Sequence, residues 1–150
     1  MILNHENYMR QALDLAREAA AAGEVPVGCV IVDETGAVIG RGRNMREEKR
    51  SALSHAETEA IAQACAARGD WRLEGCTLFV TLEPCPMCAG AIINARIAAV
   101  VYGAREPYSG SCASVINLFE ERYPSHPAIY AGVLAEECAA VMGEFFKSVR

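Results

Sequence analysis

Thr77-Leu78-Phe79-Val80-Thr81-Leu82-Glu83-Pro84-Cys85-Pro86-Met87-Cys88-Ala89-Gly90 passes from an apolar, β-rich segment straight into a cluster of prolines and cysteines. Residues 77–82 read as a buried strand. Proline suits the first turn of a helix, where a missing N–H costs nothing, so a helix is predicted over 86–95. A strand that feeds at once into a helix is the basic unit of an α/β sheet. The same junction carries two thiols, Cys85 and Cys88, at C-x-x-C spacing. Helix starts carry free N–H groups and partial positive charge, which favour the thiolate form that binds metal.

Upstream, His55-Ala56-Glu57 opens a second predicted helix, over 55–68, ended by Gly69 and Asp70. In a regular helix, residues two apart point about 200° away from one another. His55 and Glu57 can therefore share a site only at the first turn, where the backbone is still entering. One imidazole and two thiolates make three ligands. A structural zinc takes four, whereas a catalytic zinc takes three and keeps a water in the fourth position. His55, Cys85 and Cys88 are the candidate ligands of one Zn2+ per chain. Glu57 needs no bond to the metal and can stand beside the water to move its protons. The alternative is a structural site completed by His126 or Cys112. A redox reading of the cysteine pair lacks a thioredoxin-like context.

Outward from this centre, Asn4 is placed to cap a first helix running to about Ala22, with Gly23 as its stop. Residues 27–33 read as a buried strand. Glu34-Thr35-Gly36 turns it, and 37–43 returns as an antiparallel hairpin partner. A polar connection follows over 44–54. After the helix at 86–95 come a strand over 98–102, a loop over 103–114, a short helix over 115–121 and a short strand over 128–131. Leu134, Cys138, Val141, Met142 and Phe145 then repeat at helical spacing. Helices alternating with single strands predict a largely parallel sheet covered on both faces, with the first hairpin antiparallel, in one domain spanning 1–150.

Seven cysteines in a chain without secretory features argue against a disulfide framework and for the cytoplasm. No apolar run reaches membrane-spanning length, since Asn94 and Arg96 interrupt the longest one. The net charge is −5, but it is uneven. Arg41, Arg43, Arg46, Lys49 and Arg50 against Glu47 and Glu48 give that segment +3 and leave −8 elsewhere. A small basic patch of this kind can bind phosphates, although a solvated charged loop has the same composition.

The H-x-E and P-C-x-x-C pair is the signature of zinc nucleobase deaminases. The chain resembles the bacterial tRNA adenosine deaminases within the cytidine deaminase-like group. The resemblance is carried by Glu24-Val25-Pro26-Val27-Gly28, Asn44, His55-Ala56-Glu57, Trp71-Arg72-Leu73, the run 77–90, Val100-Val101-Tyr102-Gly103-Ala104 and the closing Gly132-Val133-Leu134. It implies a three-layer α/β/α fold with a central mixed sheet of about five strands. It also implies a homodimer and hydrolysis of the wobble adenosine of a tRNA anticodon stem-loop to inosine. Under the resemblance His55, Cys85 and Cys88 match the zinc ligands and Glu57 the proton shuttle. Asn44, Val27, Gly28, Pro84 and Glu106 match substrate-contacting positions; on spacing alone, Asn44 reads equally as a turn residue. The acidic composition and the loss of an arginine at Ser125-His126-Pro127 depart from an RNA-binding pattern. A deaminase of free bases or nucleosides is the competing reading, and a zinc-stabilised binding module without turnover is the third.

Overall fold

The structure is a computed structural model and describes residues 2–149; Met1 and Arg150, the ends of the expected 1–150 domain, lie outside the described residues. Helix α1 spans His5–Ala21 and begins where expected, with the Asn4 side chain accepting the Asn7 N–H at 3.1 Å. Strands β1 (Gly28–Val32) and β2 (Val38–Arg43) form the predicted hairpin. Then follow α2 (Ala56–Arg68), β3 (Thr77–Leu82), α3 (Pro86–Asn94), β4 (Ala99–Ala104), β5 (Ala128–Ala131) and α4 (Ala135–Ser148). The sheet has five strands in the order β2-β1-β3-β4-β5.

Side chains alternate across this sheet with the period of two that a strand imposes. Cys29, Ile31, Leu78, Val80, Val100 and Tyr102 face α2 and α3, where they meet Ala56, Ala60, Ala64, Ala89 and Ile92. Val30, Val32, Phe79 and Val101 face the opposite layer, where they meet Met9, Leu13 and Ala16 of α1 and Cys138 and Val141 of α4. The result is the α/β/α sandwich that the resemblance implied.

The sheet is mixed, as the resemblance implied: the β1–β2 hairpin is antiparallel as expected, β1 also runs antiparallel to β3, and β3–β4 and β4–β5 are parallel. The cause is that β1 lies between β2 and β3, so α2 crosses over β1 and returns the chain parallel to β2. One expectation needs correction: the helix expected over 115–121 is only a 3₁₀ turn, Leu118–Glu120. Asn117 caps that turn and bridges to Cys112, and the Ala113 N–H is taken by the Ile116 carbonyl, so the preceding residues form a tight turn and not a helix.

Glycine sets how closely α1 and α2 approach the sheet. A Cβ on Gly28 would lie 1.9 Å from the Ala12 carbonyl oxygen of α1. On Gly40 and Gly42 it would lie 2.4 and 2.3 Å from the Ala60 and Ala56 carbonyl oxygens of α2. Because β2 and β3 are parallel and each leads into a helix, the starts of α2 and α3 come to the same edge of the sheet. A crevice outside the carboxyl ends of parallel strands is where an open α/β sheet places its ligands.

Candidate active site

At this edge His55 is the N-cap of α2 and Cys85 the N-cap of α3, so each motif occupies a helix start, as its spacing required. The His55 N–H donates to Thr58 Oγ1 at 3.1 Å, and the Thr58 hydroxyl donates to the His55 carbonyl, which fixes the backbone beneath the ring. Pro86 opens α3. Cys88 falls in its first turn, fully buried.

The His55 Nδ1 atom lies 3.6 Å from Cys85 Sγ and 3.5 Å from Cys88 Sγ. Zn–N bonds of about 2.05 Å and Zn–S bonds of about 2.3 Å at the tetrahedral angle put nitrogen and sulfur about 3.6 Å apart. The donor set and its two nitrogen–sulfur edges thus fit a tetrahedral zinc ion, and all three donor atoms lie within 4.8 Å of one another. Among the described residues no other cluster of metal-ligating side chains forms, and neither Cys112 nor His126 joins this one. Three protein donors leave one position open, which is the catalytic and not the structural arrangement.

The electrostatics suit that reading. The Cys85 thiol is held down to about 4 by the hydrogen bond from Cys88 and the one to His55. Cys88 is raised, since it shares its proton with Cys85 and is buried beside Glu57. His55 is raised through its hydrogen bond to Cys85. The pair therefore carries one thiolate readily and gives up its second proton to a bound cation. Glu57, 4% exposed, has its carboxyl pushed up to about 7 by burial, and the Cys85 thiolate adds to the effect. A carboxyl that titrates near neutrality next to a metal site can both take and give a proton at working pH.

A pocket of about 130 Å³ opens over these groups, lined by Val25, Val27, Asn44, Arg46, His55, Ala56, Glu57, Leu82 and Glu83. That is room for a single base, not for a length of polymer. Val27 stands in its wall, as expected. Asn44 also lines it, but both ends of its amide are engaged: Nδ2 donates to the Val25 carbonyl at 3.2 Å and Oδ1 accepts the Arg46 N–H at 3.1 Å. The turn reading of Asn44 and the pocket reading therefore hold together. Gly28, Pro84 and Glu106 do not line the pocket. Gly28 faces α1, because the strand period turns it away from Val27. Pro84 is buried, with its carbonyl accepting the Ser111 N–H. The Glu106 carboxylate accepts the Tyr108 N–H at 2.8 Å. In the basic segment, Arg43 pairs with Glu48 and Lys49 with Glu59, so Arg46 is the cation that reaches the pocket wall.

Two buried carboxylates escaped the sequence reading. Glu83, 2% exposed, lines the pocket and accepts the N–H groups of Glu106, Cys112 and Ser114 as well as the Ser114 hydroxyl. Glu24, 1% exposed, accepts the Glu47 and Glu48 N–H groups at 3.0 and 2.8 Å. Each acid clamps the backbone of one loop at the pocket rim. The available signal was an acid set against an apolar segment, directly after strand β3 at Leu82-Glu83 and just before Val25-Pro26-Val27 at Glu24.

The fold and site define a zinc-binding deaminase: the family profile "Cytidine and deoxycytidylate deaminase zinc-binding region" matches residues 3–104. The tRNA-specific adenosine deaminase of Bacillus subtilis is 46% identical over 146 residues, covering 97% of this chain and 90% of that protein. Its counterpart in Streptococcus pyogenes is 45% identical, covering 95% of this chain and 90% of that one. A solved structure from studies of A-to-I editing by tRNA:A34 deaminases at the wobble position of transfer RNA superposes with a TM-score of 0.87 at 41% identity. It covers 90% of this chain and 98% of that one. The chain belongs to this deaminase family, on the branch of the tRNA-specific adenosine deaminases.

Proposed function

We propose that this chain hydrolyses the wobble adenosine of a tRNA anticodon to inosine and releases ammonia. The observation that carries the chemistry is the set of zinc-length edges between His55, Cys85 and Cys88, with the buried Glu57 carboxyl against them. The similarity to tRNA-specific adenosine deaminases over nearly the whole chain supports adenosine in tRNA over a free base.

In this reading His55 Nδ1, Cys85 Sγ and Cys88 Sγ hold one zinc per chain. When bound, zinc supplies the Lewis acidity that makes water a nucleophile near neutral pH. Glu57 takes a proton from the attacking water and passes it to the ring nitrogen beside the amine-bearing carbon. It then carries the second proton to the departing amine, so ammonia leaves and the carboxylate is restored. Val27 and Leu82 wall the base, and Asn44 and Arg46 form the polar side of the pocket. The pocket has room for one base, so the target base enters flipped out of its loop. The chain acts as a single deaminase domain in the cytoplasm. It pairs as a homodimer by the same resemblance. No helix among the described residues is long and apolar enough to cross a membrane.

The test is inosine formation in an anticodon stem-loop with a wobble adenosine, run beside free adenosine, cytidine and guanine. Conversion of the stem-loop alone is expected. Ammonia from a free base or nucleoside, with the stem-loop untouched, would make this a small-molecule deaminase.

A further inference from the structure

The loop that follows β4 presents an aromatic ring that the fold does not use. Tyr108 is 91% exposed. The other exposed tyrosines have neighbours: Tyr130 packs edge-on against His5 at 5.2 Å, and Tyr123 lines a groove with Leu118 and Pro124. A chain of hydrogen bonds fixes the backbone under Tyr108 to the pocket wall. The Tyr108 N–H is held by Glu106 Oε1 at 2.8 Å, and the Glu106 N–H by Glu83 Oε1 at 3.1 Å. Glu83 itself lines the pocket and also holds Cys112 and Ser114 at the far end of the same loop. Gly110 packs so closely on the Glu83 carboxylate that a Cβ there would lie 2.4 Å from Cδ. The loop that Glu83 ties to the pocket wall thus carries one unpartnered, exposed ring.

We propose that Tyr108 is a stacking platform for a nucleotide base next to the one that enters the pocket. This rests on the proposed RNA reaction and names how the RNA is held. The chain carries net charge −5, and within its basic segment Arg43 and Lys49 are paired with Glu48 and Glu59, which weakens its attraction for phosphates. Base–aromatic stacking supplies affinity that needs no charge and tolerates any base. It also explains how the site takes a base from a polymer when its own volume holds a single base: the flanking base, once unstacked, finds a new face outside the pocket.

The experiment uses the zinc-loaded full chain and a labelled anticodon stem-loop, and measures binding separately from inosine formation. Tyr108→Ala is expected to weaken binding and raise KM roughly five- to hundredfold. Its kcat, melting temperature and zinc content should stay unchanged, because the ring touches neither core nor site. Tyr108→Phe should bind like the parent, since stacking does not need the hydroxyl. The slope of binding against salt should be the same for parent and Tyr108→Ala, as no phosphate contact is lost. Unaltered binding by Tyr108→Ala, or loss in Tyr108→Phe equal to that in Tyr108→Ala, would overturn the platform. If the parent binds the stem-loop but does not deaminate it, the proposed reaction fails while the platform is still decided by the binding series. If the parent does not bind it, both fail.

Discussion

Replacing Glu83 by alanine removes the acceptor for three backbone N–H groups and one hydroxyl at once. The N–H donors of Glu106, Cys112 and Ser114 lie 3.1, 3.0 and 3.1 Å from the carboxylate, on a side chain that is 2% exposed. Hydrogen bonds to a charged group contribute about 1.5–3 kcal/mol each, and orphaned buried donors cost about 1–3 kcal/mol. The contributions do not add, and water can enter the space left behind, so a loss of about 3–4 kcal/mol is expected. For a chain of this size that lowers Tm by roughly 10 °C. Glu83→Gln keeps the shape but turns an NH₂ toward N–H donors, and should lose about 2 kcal/mol. The acid limb adds a second signature. Burial pushes the Glu83 carboxyl up, but the Ser114 hydroxyl and the N–H groups of Ser114, Glu106 and Cys112 outweigh it and hold the group below its ordinary value. A depressed folded pKa gives stability that is present above the ordinary carboxylate range and is lost as pH falls through the folded value. The parent should therefore lose stability below about pH 4.5 faster than Glu83→Gln does. Urea unfolding with saturating zinc measures both effects. Glu83→Ala within about 0.5 kcal/mol of the parent, or parallel acid limbs for parent and Glu83→Gln, would refute the clamp.

Other expectations follow from the same geometry. Gly28→Ala drives a Cβ into the Ala12 carbonyl of α1, so it should destabilise by roughly 3 kcal/mol in urea unfolding while zinc content is kept in the folded fraction. Cys85→Ala and Cys88→Ala should each lose stoichiometric zinc by metal analysis, since two donors from three do not hold the ion tightly. Chelation of the parent should abolish turnover and restore it on zinc return; activity that survives exhaustive chelation would contradict the metal reading.

Much of the site was legible because its residues sit beside local signals. Pro86 marks a helix start and so places Cys85 and Cys88 on one turn. The two-residue spacing of His55 and Glu57 makes sense only at a helix start, and that is where they lie. The hairpin, the cap at Asn4 and the alternating strands were also local and were read correctly. The direction of β1 relative to β3 was not legible, because it depends on which neighbours the strand chooses and not on its own pattern. The loop after β4 was misread for a related reason. The conformation of its residues 115–117 is set by Asn117 and by a bridge to Cys112 within a loop gathered around Glu83, a residue well before it in sequence. Gly28, Pro84 and Glu106, placed at the substrate by resemblance, lie outside the pocket lining: Gly28 is against α1, and the other two are engaged in loop hydrogen bonds.

The central claim is that Glu57 moves protons beside a zinc ion held by His55, Cys85 and Cys88. The most direct test measures zinc content and inosine formation on the same samples of parent and Glu57→Gln. The account predicts one zinc per chain in both, with inosine formed by the parent and a rate lower by about 10²–10⁴-fold in Glu57→Gln. Glu57→Gln that keeps its zinc and deaminates within tenfold of the parent would contradict it.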